Sequence, residues 1–344
     1  MTTPINDPDK QAAVSAADRQ YVFHSWSAQG AISPMPIASG SGSRFWDHAG
    51  KVYLDFSSQL VFTNIGHQHP KVIKAIQTQA EVLTTIAPQH ANEARNEAAQ
   101  RIVELAGSNF AKVFFTNAGA DAVENAIRMA RMHTHKHKVL STYRSYHGNT
   151  GAAINATGDP RRFPNEFAFG HVHFWGPYLY RTAFWAKDEA EECKRALEHL
   201  EQTIIFEGPN TIAAILIESV PGTAGVLMPP KGYLEGIRAL CDKYKIMWIA
   251  DEVMSGFGRT GKWFAYQHSS VVPDLITFAK GVTSGYIQLG GVVISDAISH
   301  TFDDKVFAGG LTYMGHPMAC ATAVATIDVM KEEKMLENAT MIGE

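Results

Sequence analysis

Two short stretches decide the fold of this chain: Trp248-Ile249-Ala250-Asp251-Glu252-Val253 and Asp274-Leu275-Ile276-Thr277-Phe278-Ala279-Lys280-Gly281. Each contains an apolar run that predicts a strand buried on both faces of a parallel sheet. The first run ends in Asp251 and the second is followed by Lys280. Because ligands bind outside the carboxyl ends of the strands in open α/β sheets, we expect both side chains to face one crevice.

A carboxylate and an amine in one crevice suit one cofactor well. Pyridoxal phosphate requires a lysine for its Schiff base and an acid opposite its pyridinium nitrogen. The plainer interpretation is that Asp251 caps the next turn and that Lys280 is an exposed loop lysine. We would favour that interpretation for either residue alone. The two together, with the motifs described below, predict a pyridoxal phosphate site.

Length, charge and cysteine content limit the class of protein. The chain has 344 residues, which predicts two domains or one large α/β domain with an appendage. A net charge of −4, without a basic patch among aromatics, argues against a nucleic-acid partner. No apolar run approaches the length of a membrane span, and the polar N-terminus does not resemble a signal peptide. We expect a cytoplasmic protein with no membrane partner, whose Cys193, Cys241 and Cys320 are reduced.

Alternating strands and helices dominate the chain from Val113 onward, after a predicted hairpin. The hairpin joins Arg44–Asp47 to Lys51–Phe56 through a glycine turn and indicates a small N-terminal subdomain. The alternation predicts an α/β fold, with a mostly parallel central sheet and helices on both faces. The predicted strands are Lys112–Phe115, Val139–Leu140, Ile212–Ile217, Ile246–Ala250, Leu275–Phe278 and Gly291–Ile294. The predicted crossover helices span residues 187–203 and 231–244.

A phosphate site is predicted where the first of these strands runs into a helix. Phe114–Asp121 passes through a turn of small residues and into a helix over Ala122–Met132. Small residues let backbone N–H groups approach an anion, and the helix N-terminus carries partial positive charge. The alternative is a plain strand-to-helix turn that binds no phosphate. The Asp251 and Lys280 pair argues against this alternative.

Other side chains near strand ends complete the candidate site. Tyr146 follows the second strand and is an aromatic residue that can stack on a ring. Glu218 adds a carboxylate at the end of Ile212–Ile217. Val253 lies two residues past Asp251, on the same side if the segment is extended, and so opposite Tyr146. We predict no metal site, because His67 and His69 suit a turn and the histidines of 133–138 suit a helix C-terminus.

The motifs now match a known family, over a region that runs from about Tyr21 to the end of the chain. In order, they resemble those of the class III aminotransferases, the ω-transaminase group of fold-type I pyridoxal phosphate enzymes. They are Asn117-Ala118-Gly119-Ala120-Asp121-Ala122, Tyr146-His147-Gly148, Glu218-Ser219-Val220, Asp251-Glu252-Val253, Ala279-Lys280-Gly281 and Thr312-Tyr313-Met314-Gly315-His316-Pro317. Each motif alone is weak, whereas the set is specific.

The resemblance implies a role for each candidate residue. Lys280 is implied as the Schiff-base lysine and Asp251 as the partner of the pyridinium nitrogen. Tyr146 and Val253 would sandwich the ring. The backbone of Gly119 and Ala120 would bind the phosphate, and Glu218 would lie near the site. Thr312 would reach the phosphate of a neighbouring subunit's cofactor. The last role implies a homodimer with shared active sites.

Departures from the family pattern bear on the substrate. The family usually has serine at Ala120 and proline at Gln288. Thr223 stands where ornithine- and 4-aminobutyrate-type members have glutamate, which argues against those substrates. The stretches His24–Gln29 and Asp55–Val61 look most like the taurine:pyruvate and ω-amino acid:pyruvate branch. The resemblance therefore implies ping-pong transamination from a primary amine or ω-amino acid, such as taurine or β-alanine, to a keto acid such as pyruvate.

The C-terminal end sets the expected domain organisation. We expect an N-terminal arm and small-domain hairpin over 1–60, a large cofactor-binding α/β domain over 61–325, and the start of a linker over 326–344. Family members continue into a small domain that carries an arginine for substrate carboxylates, so we expect weak turnover from this chain alone. A cofactor-binding remnant without catalysis and an aminomutase or decarboxylase of the same fold remain open alternatives.

Overall fold

A seven-stranded sheet forms the centre of the molecule, in a computed structural model that describes residues 7–165 and 169–344. The strand order is β4-β10-β9-β8-β7-β5-β6. Strands β5 to β9 pair in parallel, and β10 runs antiparallel to both β4 and β9. The strands are β1 Ile37–Ser41, β2 Arg44–Asp47, β3 Val52–Leu54, β4 Phe110–Thr116, β5 Lys138–Thr142, β6 His171–Phe174, β7 Ile212–Glu218, β8 Met247–Asp251, β9 Leu275–Phe278 and β10 Gly290–Ser295.

Helices cover both faces of this sheet. They are α1 Pro8–Tyr21, α2 Ser58–Val61, α3 Pro70–Val82, α4 Glu93–Ala106, α5 Gly119–Thr134, α6 Gly151–Ala156, α7 Glu189–Glu207, α8 Tyr233–Tyr244, α9 Asp296–His300, α10 Pro317–Glu332 and α11 Met335–Gly343. One apolar cluster joins the sheet to α5, α6 and α9, and a second joins it to α4, α7, α8 and α10. Strands buried between two such layers have apolar side chains on both faces, as the buried run Ile212–Ile217 of β7 shows.

The predicted α/β architecture is confirmed, with small shifts in element bounds. All six predicted strands are present, and α5 begins at Gly119 rather than at Ala122. The strand β6 was missed because it is a four-residue edge strand with two histidines. The predicted hairpin is present as β2 and β3, and β1 extends it to a three-stranded antiparallel sheet.

Three smaller sequence expectations can be compared with the structure. The three cysteines are free and buried. Helix α5 ends at Thr134, followed by His135 in the left-handed conformation, within the predicted histidine-rich C-terminus. Among residues 7–165 and 169–344, no helix is long and apolar enough to cross a membrane.

Glu252, which follows β8, organises the polar interior beside the sheet. Its side chain is completely buried. Its carboxylate accepts hydrogen bonds from the Ser219 and Ser255 hydroxyls, both at 2.6 Å, and from the backbone N–H groups of Ala265 and Tyr266, both at 2.8 Å. Burial raises the pKa of this carboxyl, and the four donors act in the opposite direction. Glu252 therefore fixes the loop after β8 to the end of β7.

Replacing Glu252 by glutamine is expected to destabilise the fold. A glutamine oxygen can accept from one side, but its NH₂ group would face a backbone N–H that then loses its acceptor. One unpaired buried N–H costs about 1–3 kcal/mol. Chemical denaturation should show this loss in the free energy of unfolding, while Glu337→Gln, on the exposed side of α11, should be neutral. An unfolding free energy unchanged in Glu252→Gln would contradict the role given to this carboxylate.

Candidate active site

The sheet brings three predicted site residues to one edge. Asp251 is the last residue of β8 and lies opposite Glu218 of β7 on one side and Thr277 of β9 on the other. Lys280 follows β9 after Ala279. The carboxylates of Asp251 and Glu218 both raise the pKa of the Lys280 amine. The fold therefore brings these three residues to the carboxyl edge of the same sheet.

Asp251 is 3% exposed and is held in a fixed orientation. Its Oδ1 accepts from the backbone N–H of Val253 and from the hydroxyl of Thr277, both at 3.1 Å. Its Oδ2 lies 2.7 Å from Nδ1 of His147. Since an ionised carboxylate oxygen has two acceptor sites, Oδ2 keeps one of them for a further donor.

His147, which follows Tyr146 in one of the family motifs, is a further polar side chain at this edge of the sheet. It is 3% exposed, and its backbone N–H donates to the Thr157 hydroxyl at 2.9 Å. Pairing with the acceptor-only carboxylate of Asp251 places a proton on Nδ1. Its Nε2 is buried without a hydrogen-bond partner among the described residues. The signal available in the sequence was its place beside Tyr146, because a titratable side chain after a strand end is a candidate for the same crevice.

Lys280 begins a short 3₁₀ turn, Lys280–Val282, with φ of 49°. That left-handed conformation is uncommon for a residue with a side chain. Burial lowers the pKa of the Lys280 amine, the carboxylates of Asp251 and Glu218 raise it, and the guanidinium groups of Arg259 and Arg161 lower it further. A lysine with a lowered pKa is neutral, and hence nucleophilic, at a lower pH than an exposed one.

Glu218 binds backbone rather than side chains. Its Oε1 accepts from the N–H of Tyr146 at 3.1 Å, and its Oε2 accepts from the N–H of Gly222 at 2.8 Å. Burial raises the pKa of this carboxyl, while His147 lowers it and Asp251 raises it. Glu218 therefore holds the Tyr146 loop against the sheet end.

Tyr146 carries a cationic neighbour that the sequence analysis missed. The Arg161 guanidinium lies 3.8 Å from the centroid of the Tyr146 ring, and the Trp26 ring meets Tyr146 edge-on at 6.4 Å. Arg161 also pairs with Asp159, which receives hydrogen bonds from Nε and Nη2. No local pattern pointed to Arg161, because it lies in a short 3₁₀ helix, Pro160–Asn165, that only the fold brings to Tyr146.

The turn predicted to hold a phosphate leads directly into α5. The first N–H groups of an α-helix have no partner within the helix, so those of Gly119 and Ala120 are available to an anion. A Cβ added to Gly119 would lie 2.8 Å from Cγ1 of Val253. A Cβ on Gly148, which has a φ of +127°, would lie 2.6 Å from that of Ala120. The two glycines therefore allow the phosphate turn to pack closely against its neighbours.

Val253 differs from expectation in its surroundings. The chain turns after Asp251, since the Val253 N–H bonds back to the Asp251 carboxylate, so Val253 does not lie on an extended segment. Its side chain contacts the Gly119 position instead, which still places it beside the phosphate turn. Thr312 is exposed in the loop before α10.

Comparisons with known proteins agree with this geometry. The family model for class-III aminotransferases matches residues 26–344. The chain is 34% identical to the diaminobutyrate–2-oxoglutarate transaminase of Halomonas elongata, over 95% of this chain and 74% of that protein. It is 33% identical to the taurine–pyruvate aminotransferase of Rhodobacter capsulatus, over 98% of this chain and 76% of that protein.

Solved structures extend the similarity to the fold. A taurine:2-oxoglutarate aminotransferase from Bifidobacterium kashiwanohense, solved with PLP and glutamate, superposes with a TM-score of 0.93 at 48% identity. That match covers 95% of this chain and 74% of the other. An (S)-enantioselective ω-transaminase from Thermomicrobium roseum gives a TM-score of 0.90 at 38% identity, covering 95% of this chain and 76% of the other.

Proposed function

We propose a reaction for this chain, which belongs to the class III aminotransferases: the transfer of an amino group from a taurine- or β-alanine-like donor to a keto acid such as pyruvate. The observation that carries the proposal is the sheet edge where Asp251 of β8 lies opposite Glu218 of β7 and where Lys280 follows β9, with both carboxylates raising the pKa of the Lys280 amine. The order is ping-pong: the donor leaves as a carbonyl compound before the keto acid binds. We further propose that the enzyme is a homodimer in the cytoplasm.

The residues of the crevice fit pyridoxal phosphate, the cofactor of this enzyme class. Asp251 keeps an acceptor site on Oδ2 for a protonated ring nitrogen, and the start of α5 offers N–H groups for the phosphate. Tyr146 and Val253 would lie against the two faces of the ring, and Thr312 would reach the phosphate from a second subunit. When bound, pyridoxal phosphate supplies an electron sink for the bond broken at the substrate carbon.

Lys280 and Asp251 carry the chemistry that the protein itself contributes. Lys280 supplies the amine that holds the cofactor and, once displaced by a donor amine, moves the proton at the reacting carbon. Its lowered pKa favours the neutral form of the amine, which is the form that can accept the proton. Asp251 holds a positive charge at the ring nitrogen, because an adjacent opposite charge favours the ionised pair. His147 fixes the Asp251 carboxylate through Nδ1.

Arg161 is proposed to recognise the distal acid group of the donor. Its guanidinium covers the Tyr146 ring, and its charge lowers the pKa of the Lys280 amine. A sulfonate or carboxylate needs a cation when it leaves water. In this role, Arg161 is the cation for the acid group, and it lies within residues 26–344 of the chain itself. The presence of Thr223, without the glutamate of ornithine-type members, supports the same choice of donor.

Replacing Arg161 by glutamine is expected to raise the KM for taurine and β-alanine by about 10-fold to 100-fold, because a hydrogen bond to a charged group is worth about 1.5–3 kcal/mol. The KM for a simple amine without an acid group should change less than about threefold. Steady-state kinetics with both kinds of donor measure the difference. Arg181→Gln, an exposed arginine over Tyr180, is the matched control. Equal losses for both donors would contradict the assignment of Arg161.

The experiment that tests the function is product analysis of each donor with and without a keto acid. We expect alanine from pyruvate, or glutamate from 2-oxoglutarate, in amounts that match the carbonyl product of the donor. Isomerised or decarboxylated donor formed without a keto acid would overturn the proposal in favour of a mutase or decarboxylase. If the protein binds the cofactor but forms no product, the proposed reaction is wrong and only cofactor binding remains.

A further inference from the structure

The segment from Ser58 to His69 is tied to the turn that carries Lys280. The Ile65 N–H donates to the Ser284 hydroxyl at 3.1 Å. The Tyr286 hydroxyl donates to the Gly66 carbonyl at 2.9 Å and accepts from the His69 N–H at 2.6 Å. None of these residues has a role in the reaction proposed above. The contacts nevertheless connect a segment early in the chain to the position of the reactive amine.

Asn64 lies at the centre of this connection. Its Nδ2 donates to the Phe257 carbonyl at 2.8 Å, and its Oδ1 accepts from Nη2 of Arg259. A Cβ added at Gly281 would lie 2.4 Å from the same Nδ2. The amide therefore rests directly on the residue after Lys280. One side chain joins the segment before α3, the loop after β8 and the Lys280 turn.

Arg259 fixes the Asn64 amide and brings a positive charge next to it. Its Nη2 also donates to the Ser58 hydroxyl at 3.3 Å. Within the described ranges, Arg259 forms no ion pair, and its Nε is buried without a hydrogen-bond partner. Burial lowers the pKa of this guanidinium. A half-buried cation without a counter-ion lowers the stability of the folded protein. We therefore expect that Arg259 has a role other than packing.

Lys280 has an uncommon backbone conformation that the contact with Asn64 can stabilise. Its φ of 49° lies in the left-handed region. A residue with a side chain stays in that region only when its surroundings determine its conformation. Gly281 leaves room for the Asn64 amide, so the contact acts at the peptide next to the strained residue.

We propose that Asn64 and Arg259 are positioning residues for Lys280: the Asn64 amide fixes the turn that presents the amine, and Arg259 fixes the amide and sets the local charge. The inference rests on the proposed function, because it assigns Lys280 the reactive amine. Asp251, Glu218, Arg259 and Arg161 are the charged groups that act on this amine. Removing the positive charge of Arg259 should therefore stabilise protonated Lys280.

The test measures the reactivity of Lys280 without relying on transamination. Protein freed of cofactor is acylated with an amine-reactive ester across a pH series, and mass spectrometry gives the labelling rate of the Lys280 peptide. Arg259→Gln should raise the pKa of Lys280, so its labelling at fixed neutral pH should fall about threefold. Arg259→Lys keeps the charge and should keep the wild-type pKa. Arg181→Gln is the control and should change neither value.

Asn64 is tested by its contact with Gly281. Gly281→Ala should lower kcat about 10-fold in the wild-type background, because its methyl group collides with the amide. In an Asn64→Ala background the same change should lower kcat less than about threefold. Asn109→Ala, which removes an exposed amide, is the control background. If Gly281→Ala lowers kcat by the same factor in the wild-type and Asn64→Ala backgrounds, the positioning contact between Asn64 and Gly281 is wrong.

A second Asn64 variant covers the case in which Asn64→Ala does not fold. Asn64→Asp has the same shape, keeps the acceptor for Arg259 and loses the donor to Phe257. Its negative charge should raise the pKa of Lys280 in the labelling experiment. An Asn64→Asp protein with unchanged Lys280 labelling and unchanged kcat would refute the positioning role. Failure of the transamination itself would appear instead as absent product from the wild-type protein with normal Lys280 labelling.

Discussion

Lys280→Ala is expected to abolish transamination, with kcat lower by at least about 10⁴-fold, which is the upper range of general acid–base catalysis by one side chain. The alanine has no amine to hold the cofactor or to move the proton at the reacting carbon. The Asp251 and Glu218 carboxylates and the start of α5 remain in place. We therefore expect that the variant still binds pyridoxal phosphate, without the visible absorbance of lysine-bound cofactor. Absorbance spectra and single-turnover kinetics measure both effects.

A matched lysine separates this effect from a general loss of charge. Lys262 is exposed in the loop after β8, and Lys262→Ala should keep the spectrum and kcat of the wild-type protein. A Lys280→Ala protein with wild-type absorbance would mean that another amine holds the cofactor. In that case, the assignment of Lys280 fails while the fold and the family remain.

Asp251→Asn is expected to keep the cofactor and to lose about 10²-fold or more in kcat. The neutral amide cannot hold positive charge at the ring nitrogen, so the electron sink weakens. The amide NH₂ would also face either the Nδ1–H of His147 or the donors of Val253 and Thr277. Half-reaction rates with a donor amine alone measure the loss without the complication of the second substrate.

The same variant makes a prediction about Lys280 that is independent of turnover. The Asp251 carboxylate raises the pKa of Lys280, so its removal should lower that pKa and increase the labelling of Lys280 at neutral pH. Asp304→Asn, an exposed residue in the loop before α10, should leave the rate and the labelling unchanged. Near-normal half-reaction rates in Asp251→Asn would show that another group stabilises the ring charge.

The fold, and the sheet edge that carries Asp251 and Lys280, could be predicted from local sequence. Apolar runs such as Leu275–Phe278 are buried on both faces, and only their ends tolerate charge. Because parallel strands bring their carboxyl ends to one edge, the positions of Asp251 and Lys280 in the sequence predicted a shared crevice. The edge strand His171–Phe174 was missed, since four residues with two histidines give no clear pattern.

The partners around that sheet edge were decided by the tertiary structure alone. His147 meets Asp251 across 104 residues of sequence, Asn64 meets Arg259 across 195, and Arg161 reaches Tyr146 from a short 3₁₀ helix. Each is a polar side chain outside the α-helices and strands, where nothing in its own neighbourhood distinguishes it from a solvated residue. By itself, the sequence determined the sheet, the family motifs and the two charged residues at strand ends, because periodicity and burial are local properties. Folding decided which loop side chains complete the site, because hydrogen bonds and charge pairs depend on distances that only the packed chain sets.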